Sequence, residues 1–154
     1  MSAALPRWPI RTAPVFCLFC GDDDEQPPQP PLDTPGTVGW NALSAGDLDS
    51  AWGFYSGLFG WIQDADMGMG ELGVYRLFAA GGVAIGGMTD KPPQVPRPGW
   101  LPCFNVGSIG AAMVSVTAGG GQVLNGPMEV PGPMWTLQCL DPQGAAFALV
   151  APSR

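Results

Sequence analysis

The chain has 154 residues, of which 46% are hydrophobic and 12% charged, so it fits one folded domain with a sizeable core and is not disordered. Its formal net charge of −7 leaves no basic patch for a phosphate backbone, which excludes nucleic acid as a partner. The sequence contains no histidine, which excludes a Ser–His–Asp triad, a Cys–His pair and every imidazole metal site.

Residues 1–35 are predicted to form a flexible extension. Proline and arginine interrupt MSAALPRWPI (1–10), and no stretch of roughly 18 apolar residues follows, so we expect a cytoplasmic protein with no signal peptide and no membrane partner. Cys17 and Cys20 form a C-x-x-C without a second such pair, which favours an apolar strand end over a zinc or redox site. The stretch GDDDEQPPQPPLDTP (21–35) is typical of an exposed linker.

The first half of the folded region begins with a short strand, TVGWNAL (37–43), followed by Asp47 as a helix N-cap. A helix follows, because several apolar residues recur at helical spacing on one of its faces. VYRLFAA (74–80) and VAIGGM (83–88) then predict two strands joined by a glycine turn, after a glycine-flanked loop, MGMGE (67–71). The apolar helix face consists of Leu48, Trp52, Tyr55 and Phe59.

The second half repeats this pattern after the proline-rich KPPQVPRPG (91–99). CFNVGS (103–108) predicts a strand with Ser108 as a cap, and a helix follows that three consecutive glycines end. QVLNGPMEV, MWTLQCL and AAFALV predict three more strands. Each half therefore has the order strand, helix and then three strands, an internal repeat of about 55 residues. The second helix presents Ile109, Met113 and Val116 on one face.

Residues 36–154 resemble the glyoxalase/bleomycin-resistance/dioxygenase group, the vicinal oxygen chelate superfamily. The resemblance rests on GDLDSAWGFYSGLFGW, GGGQVLNGPMEVPG and DPQGAAFALV, and it is closest to one domain of tandem bacterial versions. It implies an α+β fold of two βαβββ modules, residues 36–95 and 96–154, whose eight strands form an open, barrel-like sheet around a cavity. The stretch APVFCLF (13–19) is similar to the closing strand, so it is either the tail of a lost upstream domain or a chance apolar run.

The resemblance also bears on metal binding. Metal-dependent members hold the ion with histidine and glutamate side chains from the first and last strands of each module. These positions correspond here to Trp40, Leu101, Ala148 and either Gly86 or Met88, and none of these residues ligates a divalent metal. Asp90 is the one acid close to the third position, at or beyond the strand end. We therefore expect no metal and no cofactor.

The leading hypothesis is a metal-independent binder of a small apolar molecule. Its rivals are a glyoxalase-like lyase or isomerase that uses Tyr75 or a carboxylate instead of a metal, and a scaffold without activity; no catalytic residue is assigned. Trp40 and the methionines also fit core positions. Only one of Tyr75 and Arg76 can face the cavity, since neighbours in a strand alternate. The expected cavity wall is Trp40, Tyr75, Met88, Leu101, Gln138 and Ala148.

The remaining chemically capable residues have structural interpretations. Asn105 and Gln138 are polar residues in apolar strands, and solvent exposure is slightly favoured over ligand contact for both. Cys103 and Cys139 fit small buried hydrophobes, and Asp141 fits a turn former in DPQG. The six tryptophans and the low charge content predict an apolar contact surface, hence a homodimer, with Trp52 or Trp61 facing the partner.

Overall fold

The computed structural model of the protein describes residue 16, residue 18 and residues 30–154. Within these, the chain runs through two consecutive units with the same order of elements, one strand, one helix and three strands. The first unit contains β1 (Val38–Ala45), α1 (Leu48–Phe59), β2 (Ile62–Gly68), β3 (Val74–Ala80) and β4 (Val83–Asp90). The second contains β5 (Gly99–Asn105), α2 (Ile109–Ala118), β6 (Gln122–Val130), β7 (Met134–Leu140) and β8 (Ala146–Ala151).

All eight of these strands belong to one mixed sheet that does not close, in the order β2-β3-β4-β1-β5-β8-β7-β6. Within each unit the first strand pairs in parallel with the last, β1 with β4 and β5 with β8. The two units join where β1 and β5 pair antiparallel in the middle of the sheet. This arrangement confirms the predicted α+β fold of two βαβββ modules.

Both helices cover the same face of the sheet. Trp100 and Phe104 lie on one face of β5, because side chains four positions apart in a strand point the same way. Trp100 packs against the apolar cluster under α1, and Phe104 packs against the cluster under α2. We call this side the helix face and the opposite side the helix-free face. The buried members of the two clusters are Leu43, Ala45, Leu48, Tyr55, Phe78 and Met88, and Ile109, Leu137, Cys139, Leu149 and Ala151.

Two carboxylates hold the N-terminus of α1. Asp47 Oδ1 accepts a hydrogen bond from Ser50 N at 2.8 Å, which confirms the predicted N-cap. Asp90 Oδ1 accepts another from Leu48 N at 2.7 Å, and this ties the end of β4 to the helix. The helix ends at Gly60, which has a φ of 66°, a conformation that glycine adopts without strain. Asp90 is therefore committed to the helix terminus.

The central strand pairs of the two modules are related by a constant spacing along the chain. In the first module Leu43 pairs with Met88, and in the second Phe104 pairs with Leu149, so both partners are displaced by the same 61 positions (104 − 43 and 149 − 88). The predicted internal repeat is therefore present, with a constant spacing at the central strands, while the pairings of the outer strands differ by β-bulges. A counterpart in the other module can be assigned by this spacing.

The sequence patterns did not identify β2. This strand lies at one edge of the sheet and pairs only with β3, and six of its seven residues are exposed. An edge strand with little buried surface lacks the apolar alternation that marks a strand in sequence. The stretch predicted as a loop, MGMGE, is divided, because Met67 and Gly68 end β2 and a short 3-10 turn, Gly70–Leu72, follows.

Parts of the predicted flexible extension contact the folded domain. The Phe16 ring lies 5.9 Å from the ring centroids of both Tyr55 and Phe59 on α1. The Asn105 side-chain amide donates to the carbonyl of Leu32 and, at 3.2 Å, to the hydroxyl of Thr37. Asn105 is 7% exposed, so the expectation that it faces solvent is wrong, because these two groups bury it.

Two sequence predictions concern features beyond these contacts. Cys17 and Cys20 lie outside the described residues, so the interpretation of their C-x-x-C stays a prediction. Among the residues described, neither helix has the length and hydrophobicity needed to cross a membrane. The cytoplasmic location stays a prediction.

The contact of Phe16 with α1 predicts a measurable contribution to stability. Phe16 is 37% exposed, so replacing it with alanine removes apolar burial and should lower the free energy of unfolding by about 1 kcal/mol. Leu18, which is 68% exposed, provides the matched control, and Leu18→Ala should have almost no effect. Urea denaturation followed by circular dichroism measures both. An unchanged midpoint for Phe16→Ala would contradict a structural role and favour a dispensable extension.

Candidate functional site

The centre of the helix-free face collects most of the residues expected to line the site. Ala148 of β8 pairs with Cys103 of β5 on one side and with Gln138 of β7 on the other. Cys103 also pairs with Trp40 of β1. Paired residues in neighbouring strands point to the same face, so these four side chains form a row across four strands. Leu101 extends the same face, because it lies two positions from Cys103.

Tyr75 reaches this row from β3, whereas its neighbour Arg76 points to the helix face. Arg76 contacts Asp49 and Asp66 at 3.0 and 3.1 Å and lies over the ring of Trp52 on α1. Side chains alternate along the strand, so Tyr75 lies on the helix-free face, which answers the question left open by the sequence. The pKa of Arg76 is raised, chiefly by its hydrogen bond to Asp66.

Met88 does not lie with the others. It is fully buried in the cluster under α1, together with Leu43 and Phe78. Gly86 has the same orientation, because a Cβ at this position would overlap the Phe78 ring. The residue of β4 that faces the helix-free side is Gly87, which is the counterpart of Ala148 in the module repeat.

A tryptophan–tyrosine hydrogen bond is the main polar contact of this face. Trp40 Nε1 donates to Tyr75 Oη at 2.9 Å. The Tyr75 ring lies against the backbone of Gly87, where a Cβ would come within 2.6 Å of the hydroxyl oxygen and closer still to the ring. A side chain larger than glycine at position 87 would therefore displace the tyrosine. Trp40 and Gly87 together hold the hydroxyl at a defined place.

Burial keeps the ionisable groups of this face uncharged. Desolvation raises the pKa of Tyr75 to about 12, against a smaller opposite effect of the Trp40 hydrogen bond. Desolvation likewise raises the pKa of the Cys103 thiol to about 11. At neutral pH the phenol and the thiol are therefore both protonated, and the phenol can donate a hydrogen bond but is not a base.

The second module contributes amide and hydroxyl groups. Gln138 is half-buried, and in the part of the chain that the structure describes its side chain makes no hydrogen bond. Thr136, the counterpart of Tyr75, donates its hydroxyl hydrogen to the carbonyl of Leu149 at 3.1 Å. The two modules thus differ at this pair of equivalent positions, because the first carries a phenol and the second an aliphatic hydroxyl.

The residues at the positions of a metal site do not fit a divalent cation. In the repeat these positions are Trp40, Gly87, Leu101 and Ala148, and none supplies a carboxylate, an imidazole or a thiolate. The indole nitrogen of Trp40 can only donate, and it is already bonded to Tyr75. Asp90, the acid nearest in sequence, holds the N-terminus of α1. Within the described residues no group of three potential ligands comes together elsewhere.

The other described acids with hydrogen bonds have structural tasks. Asp47 caps α1, and Asp49 and Asp66 bind Arg76 on the helix face. Asp141 Oδ1 accepts hydrogen bonds at 2.8 Å from the backbone nitrogens of Gln143 and Ala145, which confirms it as a turn former. Cys139 is buried in the cluster under α2, as predicted for a small hydrophobe.

A separate groove of about 530 Å³ lies beside α2, on the opposite face of the sheet. At this place α2 has small side chains where α1 has aromatic ones. For example, Ser115 of α2 is the counterpart of Phe54 of α1 in the repeat. This groove is lined by apolar and small residues of α2, β8 and the turn before α2, on the face of the sheet opposite to Trp40 and Tyr75, so it is separate from the candidate site. Its lining is Val106, Gly107, Ser108, Ala111, Ala112, Ser115, Val116, Phe147 and Leu149.

Sequence reasoning missed Gly87 and Cys103 as members of the site. Gly87 could have been found from the module spacing, because it is the counterpart of Ala148, and Cys103 from strand alternation, because it lies two positions from Leu101. The hydrogen bond between Trp40 and Tyr75 had no sequence signal, since the two residues are 35 positions apart.

A family model described as "Glyoxalase/Bleomycin resistance protein/Dioxygenase superfamily" matches residues 37–149. Among curated proteins, CFP32 of Mycobacterium bovis, named as a candidate glyoxylase, is 32% identical over 122 residues, which cover 77% of this chain and 47% of CFP32. The anthracycline biosynthesis protein DauV of Streptomyces sp. (strain C5) is 31% identical over 129 residues, covering 75% of this chain and 46% of DauV. The chain thus spans about half the length of these relatives.

Solved structures share the fold at low sequence identity. The methylmalonyl-CoA epimerase of Mycobacterium tuberculosis has a TM-score of 0.57 and 17% identity, over 75% of this chain and 87% of the epimerase. A hypothetical protein of Bacillus halodurans has a TM-score of 0.58 and 13% identity, over 75% of this chain and 91% of that protein. At such identities the likeness extends to the fold alone.

The composition of the four positions predicts the metal content of the protein. Because Trp40, Gly87, Leu101 and Ala148 cannot replace the hydration shell of a cation, the purified protein should contain no stoichiometric zinc, nickel, manganese or iron. Elemental analysis before and after dialysis against a chelator measures this. About one metal ion per chain, removable only by strong chelation, would contradict the prediction.

Proposed function

This chain belongs to the glyoxalase/bleomycin resistance protein/dioxygenase superfamily, and on that premise we propose that its helix-free face binds a small, largely apolar molecule without a metal ion. The observation that carries the proposal is the replacement of all four ligand positions by an indole, a glycine and two aliphatic side chains. A site of this composition favours ligands with apolar surface, since burying apolar surface contributes about 25 cal/mol per Å².

The surroundings of these positions support the same proposal. Ala148 and Cys103 are 1% and 5% exposed, so small buried side chains form the centre of the face and larger side chains surround them. Trp40 and Tyr75 provide flat aromatic surface beside that centre, and Leu101 adds aliphatic surface. Apolar and aromatic walls with few polar groups are typical of small-molecule sites.

The relatives' names agree with a small organic ligand. DauV is named for anthracycline biosynthesis and CFP32 as a candidate glyoxylase, and both names imply contact with small organic molecules. Because the chain spans about half of each relative, the activities of the whole relatives are not transferred to it.

Binding is favoured over the rival lyase or isomerase chemistry by the state of Tyr75. A general base works best when its pKa lies near the working pH, whereas the pKa of Tyr75 is raised to about 12. The carboxylates of Asp47, Asp49, Asp66, Asp90 and Asp141 are occupied in caps, a turn and an ion-pair network.

A neutral fluorophore tests the proposed binding. Dimethylaminonaphthalene should bind at one site per chain with enhanced fluorescence, and the affinity should not change with chelator or added zinc. Leu101→Glu places a charge on the face and should weaken binding at least about tenfold, because a buried unpaired charge is costly. Val114→Glu, at a residue of α2 that is 66% exposed, is the matched control and should bind like the wild type. Equal affinities for both variants would contradict a site on this face.

We further propose that the chain forms a homodimer through the outer surface of α1. Either Trp52 or Trp61 was expected to face a partner, but both pack within the chain, because Trp52 lies beneath Arg76 and Trp61 stacks on Phe78 with ring centroids 4.2 Å apart. The exposed large apolar side chains of α1 are Phe54, Leu58 and Phe59, at 56%, 44% and 37% exposure, and the Phe16 ring lies 6.4 Å from that of Phe54. Adjacent exposed apolar residues commonly mark contact surfaces.

Light scattering at micromolar concentration tests the dimer. The wild type should give about twice the chain mass of 16.0 kDa. The double variant Phe54→Glu/Leu58→Glu should give a single chain mass, because four charges would be brought together across a two-fold interface, while Val114→Glu should stay dimeric. A wild-type monomer would refute the pairing, and a dimeric double variant would refute this surface.

A further inference from the structure

We propose that the ligand of the helix-free face presents a carbonyl oxygen, a neutral hydrogen-bond acceptor, to the hydroxyl group of Tyr75. This inference rests on the proposed binding function and specifies the chemistry of its ligand. It starts from the direction of the hydrogen bond between Trp40 and Tyr75. Trp40 can only donate through Nε1, so the oxygen of Tyr75 is the acceptor and the hydroxyl hydrogen remains to be donated.

No group of the described chain receives that hydrogen. Within residues 30–154, Tyr75 accepts from Trp40 but donates no hydrogen bond. A hydroxyl in apolar surroundings that keeps its donor unpaired costs free energy, which a bound acceptor would recover. The bond from Trp40 also polarises the phenol, so the remaining O–H is a better donor than an isolated tyrosine.

The hydroxyl is positioned as a rigid group. The Tyr75 ring packs against the backbone of Gly87, and Trp40 Nε1 holds the Tyr75 oxygen by a hydrogen bond of 2.9 Å. A donor held in place before binding loses little conformational entropy when a ligand arrives.

The charge of the surroundings decides between kinds of acceptor. Cys103 stays a neutral thiol beside the phenol, and Ala148 and Leu101 carry no charge. The neighbouring cation, Arg76, points to the helix face and is bound by Asp49 and Asp66. An anionic oxygen, such as a carboxylate or a phosphate, would lose hydration on this face without gaining a counter-charge. A ketone, quinone or amide carbonyl does not incur that cost.

Two fluorophores that differ only in a carbonyl group test the inference. Prodan is a dimethylaminonaphthalene with a propionyl group, and its emission shifts to longer wavelength when its carbonyl accepts a hydrogen bond. The parent compound for this comparison is the same dimethylaminonaphthalene with a propyl group in place of the propionyl group, so it lacks only the carbonyl. The wild type should bind Prodan about fivefold more tightly than the parent, the factor expected for one neutral hydrogen bond. Tyr75→Phe should remove this preference and the red shift, and should leave binding of the parent compound unchanged.

The second tyrosine of the chain provides a matched control. Tyr55 accepts a hydrogen bond from Trp100 Nε1 at 3.1 Å, but it lies in the cluster on the helix face. Tyr55→Phe removes the same kind of contact from the other side of the sheet and should preserve the preference for Prodan. Trp40→Phe is a second variant of the site. It keeps the Tyr75 hydroxyl but removes the hydrogen bond that positions it, so it should reduce the preference for Prodan only partly.

The outcomes separate the inference from the proposed function. The carbonyl inference would be overturned if the wild type bound both probes equally, or if the preference for Prodan survived in Tyr75→Phe. In either case, saturable binding of the parent compound would still support the apolar site. Failure of both probes to bind would overturn the proposed function and the inference with it. Circular dichroism of each variant confirms that it is folded.

Discussion

The antiparallel pairing of β1 with β5 is the constraint on which the centre of the molecule depends. It joins the two modules, and it places Leu43 beside Trp100 on the helix face and Trp40 beside Cys103 on the other. A slip of one residue would exchange the two faces, because side chains alternate along a strand. The helices oppose such a slip, since they bury Leu43 beneath α1 and Phe104 beside α2.

The two faces use the same pair of side chains for different purposes. On the helix face the Tyr55 hydroxyl accepts from Trp100 within an aromatic cluster that includes Trp61 and Phe78, so the bond satisfies polar groups in a core. On the helix-free face the Tyr75 hydroxyl accepts from Trp40 with small residues beneath it. The surroundings, not the bond itself, distinguish a core contact from a candidate binding group.

The distribution of charge follows from the same division. The best-connected ionic group, Arg76 with Asp49 and Asp66, ties α1 to β2 and β3 on the helix face, and Asp90 ties the helix to β4. These residues stabilise the packing of α1, and their use there leaves the centre of the opposite face uncharged. A neutral face is a consistent setting for a phenol that stays protonated, because desolvation opposes its ionisation.

The sequence by itself determined the module repeat, the helix caps, the turn at Asp141 and the family, because these depend on short-range patterns and fixed spacing. Trp40, Leu101 and Ala148, which the family resemblance singled out, lie on a common face together with Gln138. Only the tertiary structure decided that Tyr75 and not Arg76 joins them, that Gly87 and not Met88 is the β4 member, and that β2 is a strand. The physical reason is that period-two alternation assigns neighbours to opposite faces without saying which face is covered. That choice is made by the helices, whose packing against the sheet brings together residues far apart in the chain.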